Sequence, residues 1–127
     1  MPDNRAKPHT RIVATDDGGS TFEDSRLDLA AQHVASGTPP MLVAGVPSSD
    51  GVMFLRSLGF SSEPHPVPRE QWLLMLRGTI EVEVTDGSRR QFTPGDVIHV
   101  ADTTGRGHVS TAIGEPPFEC LLIPVAG

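Results

Sequence analysis

The side chains best suited to moving protons in this chain are its five histidines, His9, His33, His65, His99 and His108. An imidazole changes charge near neutral pH, so a positioned histidine can act as general acid or base. His9 and His33 lie in polar stretches with no partner at a useful spacing and read as solvated. His99 shares a strand face with Val97 and Ala101, and the pattern does not fix whether that face is inside. His65 and His108 each sit in a distinctive local stretch. The first opens a stretch His-Pro-x-Pro-Arg-x-Gln ending at Gln71, and the second closes Asp-Thr-Thr-Gly-Arg-Gly-His beginning at Asp102. Glu63, Glu70 and Asp102 are the carboxylates nearby. Glu70 should point away from its neighbour Gln71, and Asp102 is expected to cap its own turn.

Other chemistries find less support. Cys120 sits in the apolar run 118–123 and reads as a buried small residue, not a nucleophile. A single cysteine also excludes an intrachain disulfide and a cysteine-rich zinc cluster. There is no Gly-x-Ser-x-Gly elbow and no Walker A loop. Gly105-Arg-Gly107 is too short for a dinucleotide fingerprint and reads as a tight turn.

The chain has 127 residues, enough for one domain and one core. Its net charge is −6 and its pI about 5.2, which disfavours a nucleic-acid partner. The adjacent pair Arg89-Arg90 beside a turn reads as a solvated strand edge. No apolar stretch is long enough to span a membrane. The N-terminus has no apolar segment of a secretory signal, so a cytoplasmic location is expected by default.

Twelve prolines and thirteen glycines cut the chain into short apolar runs, the pattern of many short strands. Residues 1–10 are polar, carry two prolines and are expected to be a loose tail, with a single domain over 11–127. Strands are expected at 11–15, 22–29 (where a short helix is the alternative), 41–44 and 52–58, with turns at 36–40 and 47–51. The second half is sharper. Residues 71–77 form an apolar strand stopped by Gly78. In 79–84, Ile80, Val82 and Val84 alternate with Thr79, Glu81 and Glu83, a half-buried strand with one wet face. Asp86-Gly87 is a hairpin signal. Strands follow at 88–93, 96–100, 108–113 and 118–125, separated by turns at Pro94-Gly95, Gly105-Arg-Gly107 and 114–117. Spacing of this kind implies an all-β sandwich or barrel.

Residues 65–108 resemble the cupin superfamily. Its first motif runs His-x-His, then Glu, then a closing glycine. Its second runs from Pro-Gly-Asp through a strand and a glycine turn to a third His. Gly78 matches the closing glycine, Gln71 stands at the Glu position, and Val67 and His65 stand at the two His positions. Pro94-Gly95-Asp96 opens the second motif, and His108 stands at the third His position. The chain is similar above all to small bacterial cupins of mostly unassigned function, which share the two stretches quoted above. Residues 17–24, Asp-Gly-Gly-Ser-x-Phe-Glu-Asp, are similar as well.

This resemblance implies a double-stranded β-helix, the jelly-roll barrel of cupins, with a small-molecule site inside. It implies a site built on His65, Gln71 and His108 as catalytic groups and, if a metal binds, as its ligands. Three neutral ligands leave a dication uncompensated, so weak binding of one divalent ion, Fe, Mn, Ni or Zn, is expected. By alternation from Gln71, Leu73 and Met75 should face inward beside Val67, and Trp72 and Leu74 outward. Met53 and Arg56 from the preceding strand are further substrate-binding candidates. The expected function is acid/base or Lewis-acid chemistry of isomerase, cyclase or lyase type. The alternatives are a metal-dependent oxygenase, which an added ligand such as His99 would revive, and a non-catalytic binding module. Partners are expected to be a small molecule and a second copy of the chain, the largely apolar strand around Trp72 suiting a homodimer.

Overall fold

The computed structural model describes residues 5–46, 51–57, 63–115 and 117–125, and all regular structure within them is β. Residues 1–4 of the expected tail, 47–50 of an expected turn, Leu58 and Pro116 lie outside the described residues. The strands are β1 (Ala6–Ala14), β2 (Ser20–Asp28), β3 (Ala30–Gln32), β4 (Met41–Val43), β5 (Met53–Ser57), β6 (Gln71–Arg77), β7 (Thr79–Glu83), β8 (Arg89–Phe92), β9 (Val97–Val100), β10 (Val109–Ile113) and β11 (Phe118–Pro124). Six form one sheet in the order β2-β1-β9-β6-β11-β5, three form a second in the order β10-β7-β8, and β3-β4 is a separate hairpin.

From β6 onward the chain crosses between the two large sheets: β6 in one, β7 and β8 in the other, then β9, β10 and β11 in alternation. The sheets share one core. Ile12, Met75, Ile98, Val100, Phe118 and Cys120 come from the six-stranded sheet, and Ile80, Val82 and Phe92 from the three-stranded one. This is an all-β jelly roll. The strict alternation in β7 drives it locally. Ile80 and Val82 are almost fully buried, each worth about 1.5–3 kcal/mol of apolar burial. Glu81 and Glu83, on the other face, pair with Arg89 of β8.

The expected loose tail is corrected over residues 6–10. They are the first half of β1, paired with β2 as Ala6↔Asp28 through Thr10↔Asp24. Pro8 suggested a break because it cannot donate to a ladder. It is tolerated because β9 pairs with β1 only over Thr10–Ile12, so one side of the chain at Pro8 has no ladder to lose. Residues 22–28 are strand, not helix.

The outer face of the six-stranded sheet carries a polar aromatic cluster. His99 of β9 stacks on Trp72 of β6 with centroids 4.4 Å apart and planes 6° apart, and His9 of β1 lies 5.0 Å from Trp72. Arg11 Nε donates to His99 Nδ1 at 3.1 Å, and His99 Nε2–H donates to Glu70 Oε1 at 2.6 Å. His9 is therefore not solvated, as its polar sequence context implied, but buried. Trp72, whose strand suggested self-association, is also buried within the chain. The exposed large apolar side chains lie elsewhere, among them Met53 and Phe54 on β5 and Met41 and Leu42 on the hairpin.

Burial, with His99 and Arg11 adjacent, holds the pKa of His9 below 6.5. An unfolded chain protonates this histidine as pH falls through 6.5, while the folded chain resists doing so. Stability from this source is thus intact above pH 6.5 and declines below it. Urea midpoints should fall more steeply between pH 7 and pH 5.5 in the natural chain than in His9→Gln. Parallel slopes would remove His9 as a cause.

Candidate functional site

The chain brings His65 and His108 together through its backbone. The two residues form an isolated antiparallel bridge: His65 N–H donates to His108 O at 3.1 Å, and His108 N–H to His65 O at 3.0 Å. Their rings lie 5.2 Å apart, inclined by 46°. Val67 N–H donates to Asp102 O at 3.1 Å, a second tie between the same two segments. Gly107 makes the approach possible. Its φ is +72°, and a Cβ there would meet the His65 carbonyl oxygen at 2.0 Å.

Each ring has one nitrogen already engaged. His108 Nδ1 lies 2.6 Å from Asp102 Oδ2, and Asp102 is wholly buried. His65 Nδ1 lies 2.8 Å from the Glu63 carbonyl oxygen. A carbonyl can only accept, so His65 Nδ1 carries a proton. A carboxylate at His108 Nδ1 favours the same tautomer. Nε2 then carries the lone pair in both rings. The other oxygen of Asp102 is buried without a partner among the described residues, which leaves His108 as the main support of that carboxylate.

Both rings and Gln71, the first residue of β6, border a cavity of about 370 Å³ between the two sheets. Val67 and Leu73 stand on its wall with Ile12, Ile80, Val82 and Ile98, so the expected inward face of β6 is present. Arg56 borders the cavity, but its guanidinium bonds Glu119 at 2.6 Å and lies over the Phe54 ring. Met75 is buried in the core without reaching the cavity wall. Met53 is 50% exposed at the start of an edge strand and lies off the cavity.

Two further expectations are corrected. Asp102 does not merely cap its turn. The turn returns the chain so that His108, six residues later, closes on the Asp102 carboxylate. His99 cannot add a ligand to the cavity, because it occupies the opposite face of β9 from Ile98 and Val100. Glu70 points outward to His99, as the alternation implied. His33 is on the surface, bonded to the Thr38 carbonyl.

Cys120 also lines the cavity, and burial pushes its thiol up to about 11. The thiolate is the reactive form. Alkylation at pH 8 is therefore expected to be at least ~10-fold slower than for a free thiol of pKa ~8.5, and to become fast in denaturant. Fast labelling of the folded chain would contradict this burial.

The jelly roll thus carries two anchored imidazoles and a carboxamide at the edge of one apolar cavity. Solved structures similar to this chain include two of low sequence identity. One is a candidate ethanolamine utilization protein Q from Salmonella typhimurium, 15% identical, with a TM-score of 0.48 over 94% of this chain and 95% of that one. The other is a candidate mannose-6-phosphate isomerase from Ralstonia eutropha, 16% identical, with a TM-score of 0.45 over 99% of this chain and 92% of that one. These are likenesses of chain path alone. No protein-family model and no curated protein matches the chain. Among the described residues no helix is long and apolar enough to cross a membrane, and no three His, Cys, Asp or Glu side chains converge as a metal-binding group.

Proposed function

We propose that this chain is a cupin-type enzyme that transfers a proton on a small carbonyl or hydroxy compound held in the barrel, as in isomerisation or elimination. The observation that carries this reading is the buried Asp102–His108 pair bordering an apolar cavity beside His65. Asp102 fixes the ring and stabilises the imidazolium that forms when His108 Nε2 takes a proton. For a carbonyl substrate that proton leaves the adjacent carbon. The Gln71 amide N–H2 donates to the enolate oxygen as its charge develops. His108 then returns the proton to a different carbon, or a leaving group departs with the electron pair.

The same side chains fit a divalent transition metal. Metal-bound histidines typically have their second nitrogen held by a carboxylate or carbonyl, and both His65 and His108 are held in that way. His65, His108 and Gln71 would hold it, and it would polarise the substrate oxygen as a Lewis acid. Oxygenase chemistry is less favoured, because Val67 and Gln71 replace two of the stronger ligands of the cupin pattern.

The test is hydrogen–deuterium exchange in D2O at the carbon beside the carbonyl of small ketones, acetophenone among them, followed by proton NMR. Exchange above buffer that survives a chelator supports the histidine mechanism. Exchange lost to chelator and restored by one metal supports the Lewis-acid variant. Ketone binding with no exchange identifies a non-catalytic binding module.

A further inference from the structure

The charge inventory of the cavity narrows its ligand, an inference that rests on this cavity being the functional site. The chain carries 26 charged side chains among Asp, Glu, Lys and Arg (16 acidic and 10 basic). Of the described residues around the cavity, Arg56 alone belongs to that set. Its guanidinium is taken up by Glu119, whose side chain is 13% exposed, at 2.6 Å. Twelve of the eighteen described bordering residues are apolar, and the polar remainder besides Arg56 is His65, His108, Gln71, Ser57 and Ser110.

Among the described residues, a ligand carboxylate or phosphate at the polar end would meet no Lys or Arg free of a carboxylate, only the imidazoles of His65 and His108. It would also sit close to the buried negative charge of Asp102, behind His108. A ligand ammonium would meet no carboxylate among the described residues of the wall. His65 is itself exposed, but an ion drawn in against the aliphatic walls loses water without gaining a counter-charge, whereas a carbonyl or hydroxyl needs only the hydrogen bonds that imidazole and carboxamide provide. The volume sets the size. At the ~30 Å³ that a water molecule occupies in the liquid, the cavity has room for about a dozen non-hydrogen atoms.

We propose that the cavity takes an uncharged, mainly apolar molecule of about a dozen non-hydrogen atoms with one carbonyl or hydroxyl group, and turns away carboxylates, ammonium compounds and phosphorylated sugars. The hydroxyl-rich surface of a sugar is a poor match for walls formed by both sheets' aliphatic side chains. A compact ketone, aldehyde or phenol matches them.

The isoleucines provide an internal test in the natural chain. Ile12, Ile80 and Ile98 border the cavity, whereas Ile113 and Ile123 do not. With isoleucine methyls labelled, acetophenone should shift the first three and leave the other two unmoved. Benzoate, nearly the same shape but anionic, should bind at least ~10-fold more weakly. Benzylamine and glucose 6-phosphate should leave all five unmoved. Benzoate, benzylamine or glucose 6-phosphate binding as well as acetophenone overturns the proposal, as does a failure of acetophenone to shift Ile12, Ile80 and Ile98. The two readings fail separately. Selective acetophenone binding without deuterium exchange leaves the ligand class standing and removes the enzyme. Exchange on ketones with equal affinity for benzoate does the reverse.

Discussion

Asp102→Asn is expected to leave a folded barrel that has lost deuterium exchange by a factor of about 10²–10⁴, the usual contribution of a positioned general base. The reason is the direction of one hydrogen bond. Asp102 accepts from His108 Nδ1–H, which leaves Nε2 with the lone pair that takes the substrate proton. An asparagine at this depth can present its N–H2 to Nδ1. The ring then moves its proton to Nε2 and can no longer act as a base there. Because the carboxylate has one oxygen without a partner, removing its charge should cost little stability. The melting temperature should stay within a few degrees of the natural chain. His108→Gln should show a similar loss of exchange. In Asp102→Asn kcat should fall with KM nearly unchanged, since that change leaves every side chain of the cavity wall in place. Full exchange activity in Asp102→Asn would sink the proposed mechanism. Loss of activity together with unfolding would reduce Asp102 to a structural residue.

The cavity end of this site was legible in the sequence, and its support was not. The resemblance of 65–78 and 94–108 to the two cupin motifs implied three polar side chains at one end of a barrel. The backbone bridge of residues 65 and 108 realises that placement. β6 and β7 were equally plain, because an apolar run closed by Gly78 and a strict alternation admit few other readings. Asp102 was misread because an aspartate before Thr-Thr-Gly has a sufficient local explanation in its own turn. Its bond to His108 depends on how far the turn curls back, which composition does not encode. His9 was misread for a related reason. Its neighbours along the chain are polar, but its neighbours across the sheet are Trp72 and His99, and cross-strand partners are invisible until register is known. Pro8 hid the first half of β1, because whether a proline interrupts a ladder depends on whether a strand lies on that side.

The second large effect is expected at Gly107, where backbone geometry and site assembly are the same thing. An alanine at φ +72° carries a left-handed backbone penalty of about 1–2 kcal/mol. It also places a Cβ 2.0 Å from the carbonyl oxygen of His65 and 2.1 Å from its carbon. These are backbone atoms, so no rotamer change relieves the clash. The segment carrying His65 must move away, which breaks the two hydrogen bonds of the bridge at about 0.5–1.5 kcal/mol each. Gly107→Ala should therefore lower stability by about 2–5 kcal/mol, a large share of the ~5–15 kcal/mol of a typical domain. Gly87→Ala supplies the comparison. Its φ is +89°, but nothing lies within 4 Å of the added Cβ, so it should show the backbone penalty alone. The difference between the two, read from urea unfolding at pH 7.5, isolates the contact with His65. Part of the Gly107→Ala population that stays folded should also have lost exchange, because His65 and His108 no longer share a bridge. Equal destabilisation by the two alanines would mean that residues 65 and 107 are not in contact, and the shared site of the two histidines would fall with that contact.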